Sequence, residues 1–324
     1  MRTITLEEHF TTQEFLKAIG QDNPTDERTQ KINKKLLDVG EGRINDMDEA
    51  HIDMQVLSLS SNSLHNLDAD VATKLAHKIN NQLAEVISKY PKRFAGFATI
   101  ALQDVDQSVI EFERCINELK FKGLMIMGTV NGIFLDDKRF EPIFKTAESL
   151  DVPIYIHPGM PPKPVADVYY TGFDKPINFL LSMAGYGWHA ETGLHGLRII
   201  LSGLLDRFPK LKFIVGHMGD HLPFNIARAN RVFDEAVHDK NKPLLKRNII
   251  DYFRDNFYIT TSGYFDIAPF NCALDVSGID HILFSIDYPY APNKSGYDFL
   301  KTLPVNDQDK EKIAHLNTSQ LLKL

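Results

Sequence analysis

Cysteine is nearly missing from this chain of 324 residues: Cys115 and Cys272 are the only two. Neither has neighbours at a metal-type spacing, so both read as small hydrophobes in a reducing, cytoplasmic compartment. A basic excess is missing too. With 36 Lys and Arg against 43 Asp and Glu, the formal charge of -7 argues against affinity for nucleic acid or an anionic membrane surface and favours a small-molecule substrate. No window reaches about 18 uninterrupted apolar residues, and no basic stretch leads into an apolar one at the N-terminus, so neither export nor membrane anchoring is expected. No Gly-rich phosphate turn follows the first apolar run, which leads instead into Glu7-Glu8-His9-Phe10, so no nucleotide cofactor is expected. Repeats, low-complexity tracts and linkers are absent from the sequence, and residues 1–324 read as one domain.

What is present is a globular composition, 43% hydrophobic and 24% charged. Short apolar or alternating runs recur at Thr3–Leu6, Met54–Leu59, Phe94–Ile100, Gly123–Met127, Val152–Ile156, Leu211–Val215, Phe257–Thr261 and His281–Ile286, and their β-branched and aromatic content predicts eight strands. Between them Asp68–Tyr90, Asp104–Leu119, Phe140–Leu150 and Ala190–Phe208 have helical spacing, with Asp104 as a candidate cap. Eight alternating units predict a parallel α/β fold, a (β/α)8 TIM barrel in preference to an open doubly wound sheet. Two connections are long, Thr11 to about Asn45 after the first strand and Pro158 to about Gly187 after the fifth. Such lengths suit active-site lids, binding loops or oligomer contacts.

Metal-type ligands stand at strand ends: Glu7 and His9, His157, His217 and Asp287. A parallel barrel gathers strand C-termini around one pocket, so these distant residues become neighbours, which predicts a mononuclear metalloenzyme. Side chains alternate along a strand, so Glu7 and His9 share a face and Glu8 looks the other way. His217 lies between Gly216 and Met218-Gly219, and Asp220 is placed to orient its ring. A carboxylate at the end of the apolar run before Asp287 needs a cation; the competing partner is a salt bridge to Arg43 or Arg228. His195, one turn after Glu191, is expected to make a helix-to-barrel hydrogen bond. His51, His77, His221, His238, His281 and His315 read as surface or packing positions, and His65 and His189, near loops, are not expected at the site.

Leu6-Glu7-Glu8-His9-Phe10, Met47-Asp48, Arg93-Phe94, Ile156-His157-Pro158, Glu191-Thr192, His195, Gly216-His217-Met218-Gly219, Thr260-Thr261-Ser262-Gly263 and Phe284-Ser285-Ile286-Asp287-Tyr288-Pro289 run through nearly the whole chain. Together they resemble the amidohydrolase superfamily, and within it the decarboxylases of 2,6-dihydroxybenzoate (γ-resorcylate), 2,3-dihydroxybenzoate and 5-carboxyvanillate. The resemblance implies one divalent metal held by Glu7, His9, His157 and Asp287, with His217 beside it, oriented by Asp220. Where this chain has Asp220, γ-resorcylate decarboxylases tend to carry Glu.

By that resemblance the chain is a metal-dependent carboxy-lyase of a hydroxylated benzoate with Mn²⁺ or Zn²⁺, no organic cofactor, Asp287 as proton donor and His217 as hydrogen-bond partner of the substrate. Arg228 and Arg43 are candidates to pair with the substrate carboxylate, and a homodimer or homotetramer is implied by analogy. The rival within the superfamily is a hydrolase in which Asp287 deprotonates a metal-bound water; Glu7, where such enzymes commonly show a second His, weighs against it. A non-catalytic binding barrel is the rival from another class, opposed by the completeness of the ligand set.

Overall fold

A computed structural model describes residues 1–60, 64–239 and 244–324, and all eight expected strands form within them. They are β1 (Ile4–Phe10), β2 (Met54–Leu59), β3 (Phe94–Gly96), β4 (Leu124–Met127), β5 (Ile154–His157), β6 (Phe213–Val215), β7 (Phe257–Thr260) and β8 (Ile282–Leu283). Every pairing is parallel, in the orders β1-β2-β3 and β4-β5-β6-β7-β8. A bridge between Ala98 and Leu124 joins the two sheets on one side. On the other, His9 N donates to Tyr288 O at 2.7 Å and Glu7 N to Ser285 Oγ at 2.7 Å, so β1 meets β8 and the ring of strands is that of a TIM barrel.

The β1–β8 seam explains why β8 is so short. Beyond Leu283 the regular ladder gives way to a mixture of backbone and side-chain bonds: Phe284 N donates to Ile313 O at 3.0 Å, Ser285 N to Thr261 Oγ1 at 3.0 Å, and Ile286 N and Tyr288 N to the Glu8 carboxylate at 3.0 and 3.1 Å. The expected run to Ile286 is thus extended chain held by polar side chains and isolated backbone bonds.

β1 itself continues past Leu6 to Phe10, so the Glu7-Glu8-His9 segment lies inside the strand. Its pairing with β2 is irregular between Thr5 and Glu8. Ile4 and Leu6 pack with Val56, Phe97, Tyr155, Ile214 and Leu283 in the barrel interior, and Glu7 also reaches Tyr155. Glu8 instead lies against Gln55 and the β8 backbone. The irregularity therefore shifts the pleat by one residue, so that apolar Leu6 and the adjacent Glu7 both face inward.

The expected helices form as Ala69–Lys89, Val105–Asn117, Glu141–Leu150 and Gly187–Leu201. Asp104 caps the second, its carboxylate accepting from Gln107 N at 3.0 Å. The stretch expected as one helix to Phe208 is two, because Gly203 (φ 69°) breaks it before Leu204–Arg207. The long connections hold short helices, Gln13–Ala18, Glu27–Leu37 and Glu41–Glu49 after β1, and Lys163–Tyr169 and Lys175–Ser182 after β5. Cys115 is buried, Cys272 half-buried, and both are free thiols. Among the described residues no helix is long and apolar enough to cross a membrane.

Ser285→Ala should destabilise the fold by about 1–3 kcal/mol, because the buried Glu7 N–H loses its acceptor without a replacement. Urea unfolding measures this, and an unchanged midpoint and slope would remove the seam from the account of stability.

Candidate active site

Four of the predicted residues meet at the C-terminal mouth of the barrel. Glu7 and His9 come from β1, His157 from the end of β5 and Asp287 from just after β8, and one ligand atom from each lies within 4.8 Å of the others. His157 Nε2 stands 3.1 Å from Glu7 Oε1, and His9 Nε2 stands 3.3 Å from Asp287 Oδ1. The other ring nitrogens fix the two imidazoles from behind. His157 Nδ1 bonds Pro158 O at 2.8 Å, and His9 Nδ1 lies 3.3 Å from both Leu59 O and Ser58 Oγ.

This set fits a cation. With Nδ1–H of His157 donating to a carbonyl, its Nε2 lone pair faces the Glu7 carboxylate, an arrangement that repels until something positive sits between them. Glu7 Oε1 and His9 Nε2 are buried and have no hydrogen-bond partner. The remaining oxygen, Glu7 Oε2, accepts from Tyr155 OH and Thr260 Oγ1, so the carboxylate is aimed with one oxygen committed and one open. Gly216 makes room for it: a Cβ there would lie 2.7 Å from Glu7 Oε2.

Burial pushes the Glu7 carboxyl up, but positive charge on the surrounding histidines, His217 foremost, outweighs it and holds it far below the usual carboxylate range. Burial pushes His217 down, yet Glu7 and Asp220 together hold it well above its usual value. Glu8, one residue along, is pushed up to about 8 by burial even though the backbone of Ile286 and Tyr288 donates to it.

His217 and Asp220 belong to the turn after β6. His217, Met218, Gly219, Asp220 and His221 have φ of 52°, 55°, 88°, 46° and 69°, five consecutive left-handed residues of which one is glycine. Left-handed backbone costs a non-glycine residue roughly 1–2 kcal/mol, so the surroundings must impose it. They do so by contact. Gly219 N donates to Gly216 O at 2.7 Å, and helix Gly187–Leu201 presses on the turn at Gly193, where a Cβ would lie 2.3 Å from Asp220 O. The turn aims His217 Nε2 at the cluster, 3.6 Å from Glu7 Oε1 and 3.8 Å from Asp287 Oδ2, and sets Nδ1 3.3 Å from Asp220 Oδ1.

His189, not expected at the site, is brought there by the same helix: its Nδ1 lies 2.6 Å from Asp220 Oδ1 and its ring centroid 4.7 Å from that of His217. The signal that could have exposed it is Asp220, a buried carboxylate with more oxygens than one imidazole can satisfy. Aromatic rings surround the cluster. Tyr290 lies 5.7 Å from His9, Tyr264 5.9 Å from His217 and Trp188 6.4 Å from His157, centroid to centroid.

The two predicted arginines are not brought into this cluster. Arg43 is fully buried, donates to His9 O and Lys35 O, and lies with its guanidinium 4.7 Å from the Tyr288 ring centroid. It thereby braces the backbone of a cluster residue from outside. Arg228 is exposed on helix Leu222–Val237. Asp287 contacts His9 and His217 instead of either arginine. His195 accepts from Leu135 N at 2.9 Å, so its hydrogen bond goes to the connection after β4. His65 is buried, and burial pushes it down to about 4.

A γ-resorcylate decarboxylase of Polaromonas sp. strain JS666 is 35% identical to this chain over 328 residues, covering 99% of this chain and 98% of its own. The crystal structure of a dihydroxybenzoic acid decarboxylase from the same organism, with bound manganese and the inhibitor 2-nitroresorcinol, superposes with a TM-score of 0.90 at 34% identity, covering 100% of this chain and 97% of its own. That of 5-carboxyvanillate decarboxylase from Novosphingobium aromaticivorans, complexed with manganese and 4-hydroxy-3-methoxy-5-nitrobenzoic acid, gives 0.91 at 33% identity, covering 100% and 96%. The amidohydrolase family model matches residues 36–324, and with these relatives spanning the whole barrel, the chain belongs to the amidohydrolase family.

Proposed function

We propose that this protein is a metal-dependent, nonoxidative decarboxylase of a hydroxylated benzoate. The observation that carries the reading is the Glu7, His9, His157 and Asp287 cluster, in which Glu7 Oε1 and His9 Nε2 are buried without a hydrogen-bond partner. Those four residues would hold one divalent ion. Manganese is favoured by the relatives and by the mixed oxygen and nitrogen donors, with zinc the other candidate. When bound, the ion supplies Lewis acidity and a template for the carboxylate and ortho-hydroxyl of the substrate.

The side chains supply the rest. Asp287, 18% exposed at the mouth of the cluster, delivers a proton to the ring carbon that bears the carboxylate. The ring loses aromaticity; the bond to the carboxylate then breaks, its electron pair restores the ring, and carbon dioxide leaves. His217 Nε2 points toward the same space and donates a hydrogen bond to the substrate oxygen on which charge builds. Tyr290, Tyr264 and Trp188 form flat walls suited to an aromatic ring. Arg228, exposed on helix Leu222–Val237, is the candidate partner of a substrate carboxylate, whereas Arg43 serves it only after leaving its place behind β1.

A homodimer or homotetramer accords with the connection after β5. Val168, Tyr169, Phe173 and Phe179 are 74%, 71%, 61% and 56% exposed there, an apolar surface of the kind that a second copy covers.

Asp287→Asn should lower turnover at least about a thousandfold while the protein still folds, the scale of losing a group that acts in the transition state. Release of carbon dioxide from 2,6-, 2,3- and 2,4-dihydroxybenzoate, salicylate and 5-carboxyvanillate, with and without a chelator, is the assay; near-normal turnover removes Asp287 from the proton transfer, and inertness of the metal-loaded protein on all five acids removes the decarboxylase. A benzoate without the ortho-hydroxyl should be rejected by about four orders of magnitude, since a site built to bind that oxygen is left unpaired. Tyr155→Phe should weaken metal binding about 10–100-fold by unseating the Glu7 carboxylate. Competition with a graded chelator reads this directly, and unchanged affinity would show that Tyr155 does not support the ligand.

A further inference from the structure

We propose that His189 is a positioning residue for this reaction, holding Asp220 so that the short carboxylate can orient His217. The inference rests on the role given above to His217 and deepens it.

The geometry is a chain of three buried side chains. His189 Nε2 lies 3.0 Å from Ala184 O and Nδ1 lies 2.6 Å from Asp220 Oδ1, so the ring is clamped at both ends. The same Asp220 oxygen lies 3.3 Å from His217 Nδ1, on the side away from the four-residue cluster. An Asp on a left-handed turn reaches its neighbour three residues back only weakly, and at 3.3 Å the carboxylate and the imidazole stand at ion-pair distance, off the line of a hydrogen bond. His189 corrects this by fixing the carboxylate from the opposite side, and its own anchor, Ala184 O, precedes the helix that packs on the turn through Gly193. His189 thus gives the carboxylate the side-chain hydrogen bond that His217 Nδ1, off line, does not make.

The same three residues could be taken for a second metal site, since their ligand atoms also lie within 4.8 Å of one another. Distance decides against it. Two ligand atoms on a tetrahedral ion at about 2.0–2.1 Å stand roughly 3.3 Å apart, whereas His189 Nδ1 and Asp220 Oδ1 are 2.6 Å apart, a hydrogen-bond length. Tyr264, with its ring centroid 5.3 Å from His189, and His221, at 6.0 Å, complete the enclosure.

The test compares His189→Phe, which removes the donor, with His189→Asn, whose side-chain amide can donate near the position of Nδ1. The Phe variant should lose about 10–100-fold in kcat, the usual effect of removing an outer partner of an active-site histidine, with KM and metal content per chain unchanged, and the Asn variant should recover most of the loss. A readout independent of turnover is the exchange-protected imidazole N–H signal of His217 in the proton spectrum of the zinc-loaded protein: present in the wild type and the Asn variant, lost in the Phe variant. A Phe variant with wild-type kcat and an unchanged His217 signal overturns the proposal. So does a loss of kcat that Asn does not recover and that follows a fall in Tm, which marks a packing role, or a wild type holding two metals of which the Phe variant loses one. Should the wild type decarboxylate none of the hydroxybenzoates, the proposed function fails, and the His217 signal still decides the role of His189.

Discussion

Two adjacent buried carboxylates on one strand are the constraint from which the rest of this molecule follows. Glu7 and Glu8 are both fully buried, on opposite faces of β1, and a buried carboxyl is tolerable only when its surroundings compensate for the lost water. The barrel answers each separately. Glu8 is bonded by the backbone of Ile286 and Tyr288, which fixes the residues on either side of Asp287 and shuts the seam between first and last strands. Glu7 is met by Tyr155, His157 and His217 from β5 and from the turn after β6. One carboxylate therefore builds the scaffold that presents Asp287, and the other forms part of the cluster that Asp287 completes.

The outline of this arrangement was legible in the sequence because each cue was local. β-branched runs at regular spacing marked all eight strands, Asp104 marked a helix start, and His157, His217 and Asp287 stood out as polar residues ending apolar runs. Glu7 and His9 share a face as alternation requires. Alternation alone, however, puts Leu6 and Glu7 on opposite faces, and the structure has both inside the barrel because the pairing of β1 with β2 slips between Thr5 and Glu8. No residue type announces such a slip. The helices within the two long connections were equally hard to see, since each spans only 6 to 11 residues.

His189 and the two arginines show the other limit. His189 reaches the site from a helix whose approach depends on Gly193 fitting against Asp220, a contact between distant segments that no spacing rule encodes. Arg43 was legible as a cation near the site but not as one sealed behind β1, because a fully buried guanidinium is rare enough that sequence reasoning favours a ligand. The helix that supplies His189 also supplies Trp188, so the wall of the pocket and the support of His217 are parts of one element.

The left-handed run from His217 to His221 bears on how the protein acquires its site. Gly219 adopts such backbone freely and Asp and His tolerate it better than most residues, yet five in succession is more than the local sequence alone would hold. The shape is imposed from outside, by Gly193 of the preceding helix and by the barrel strands beneath, so it cannot exist before those parts have docked. The active centre is accordingly completed by tertiary packing rather than by its own local sequence. A metal ion arriving early meets an incomplete set of side chains, and maturation of the centre coincides with completion of the chain's tertiary structure. For the same reason the loop has no slack: adding or removing one residue there would rotate His217 out of line, although the barrel around it would scarcely register the change.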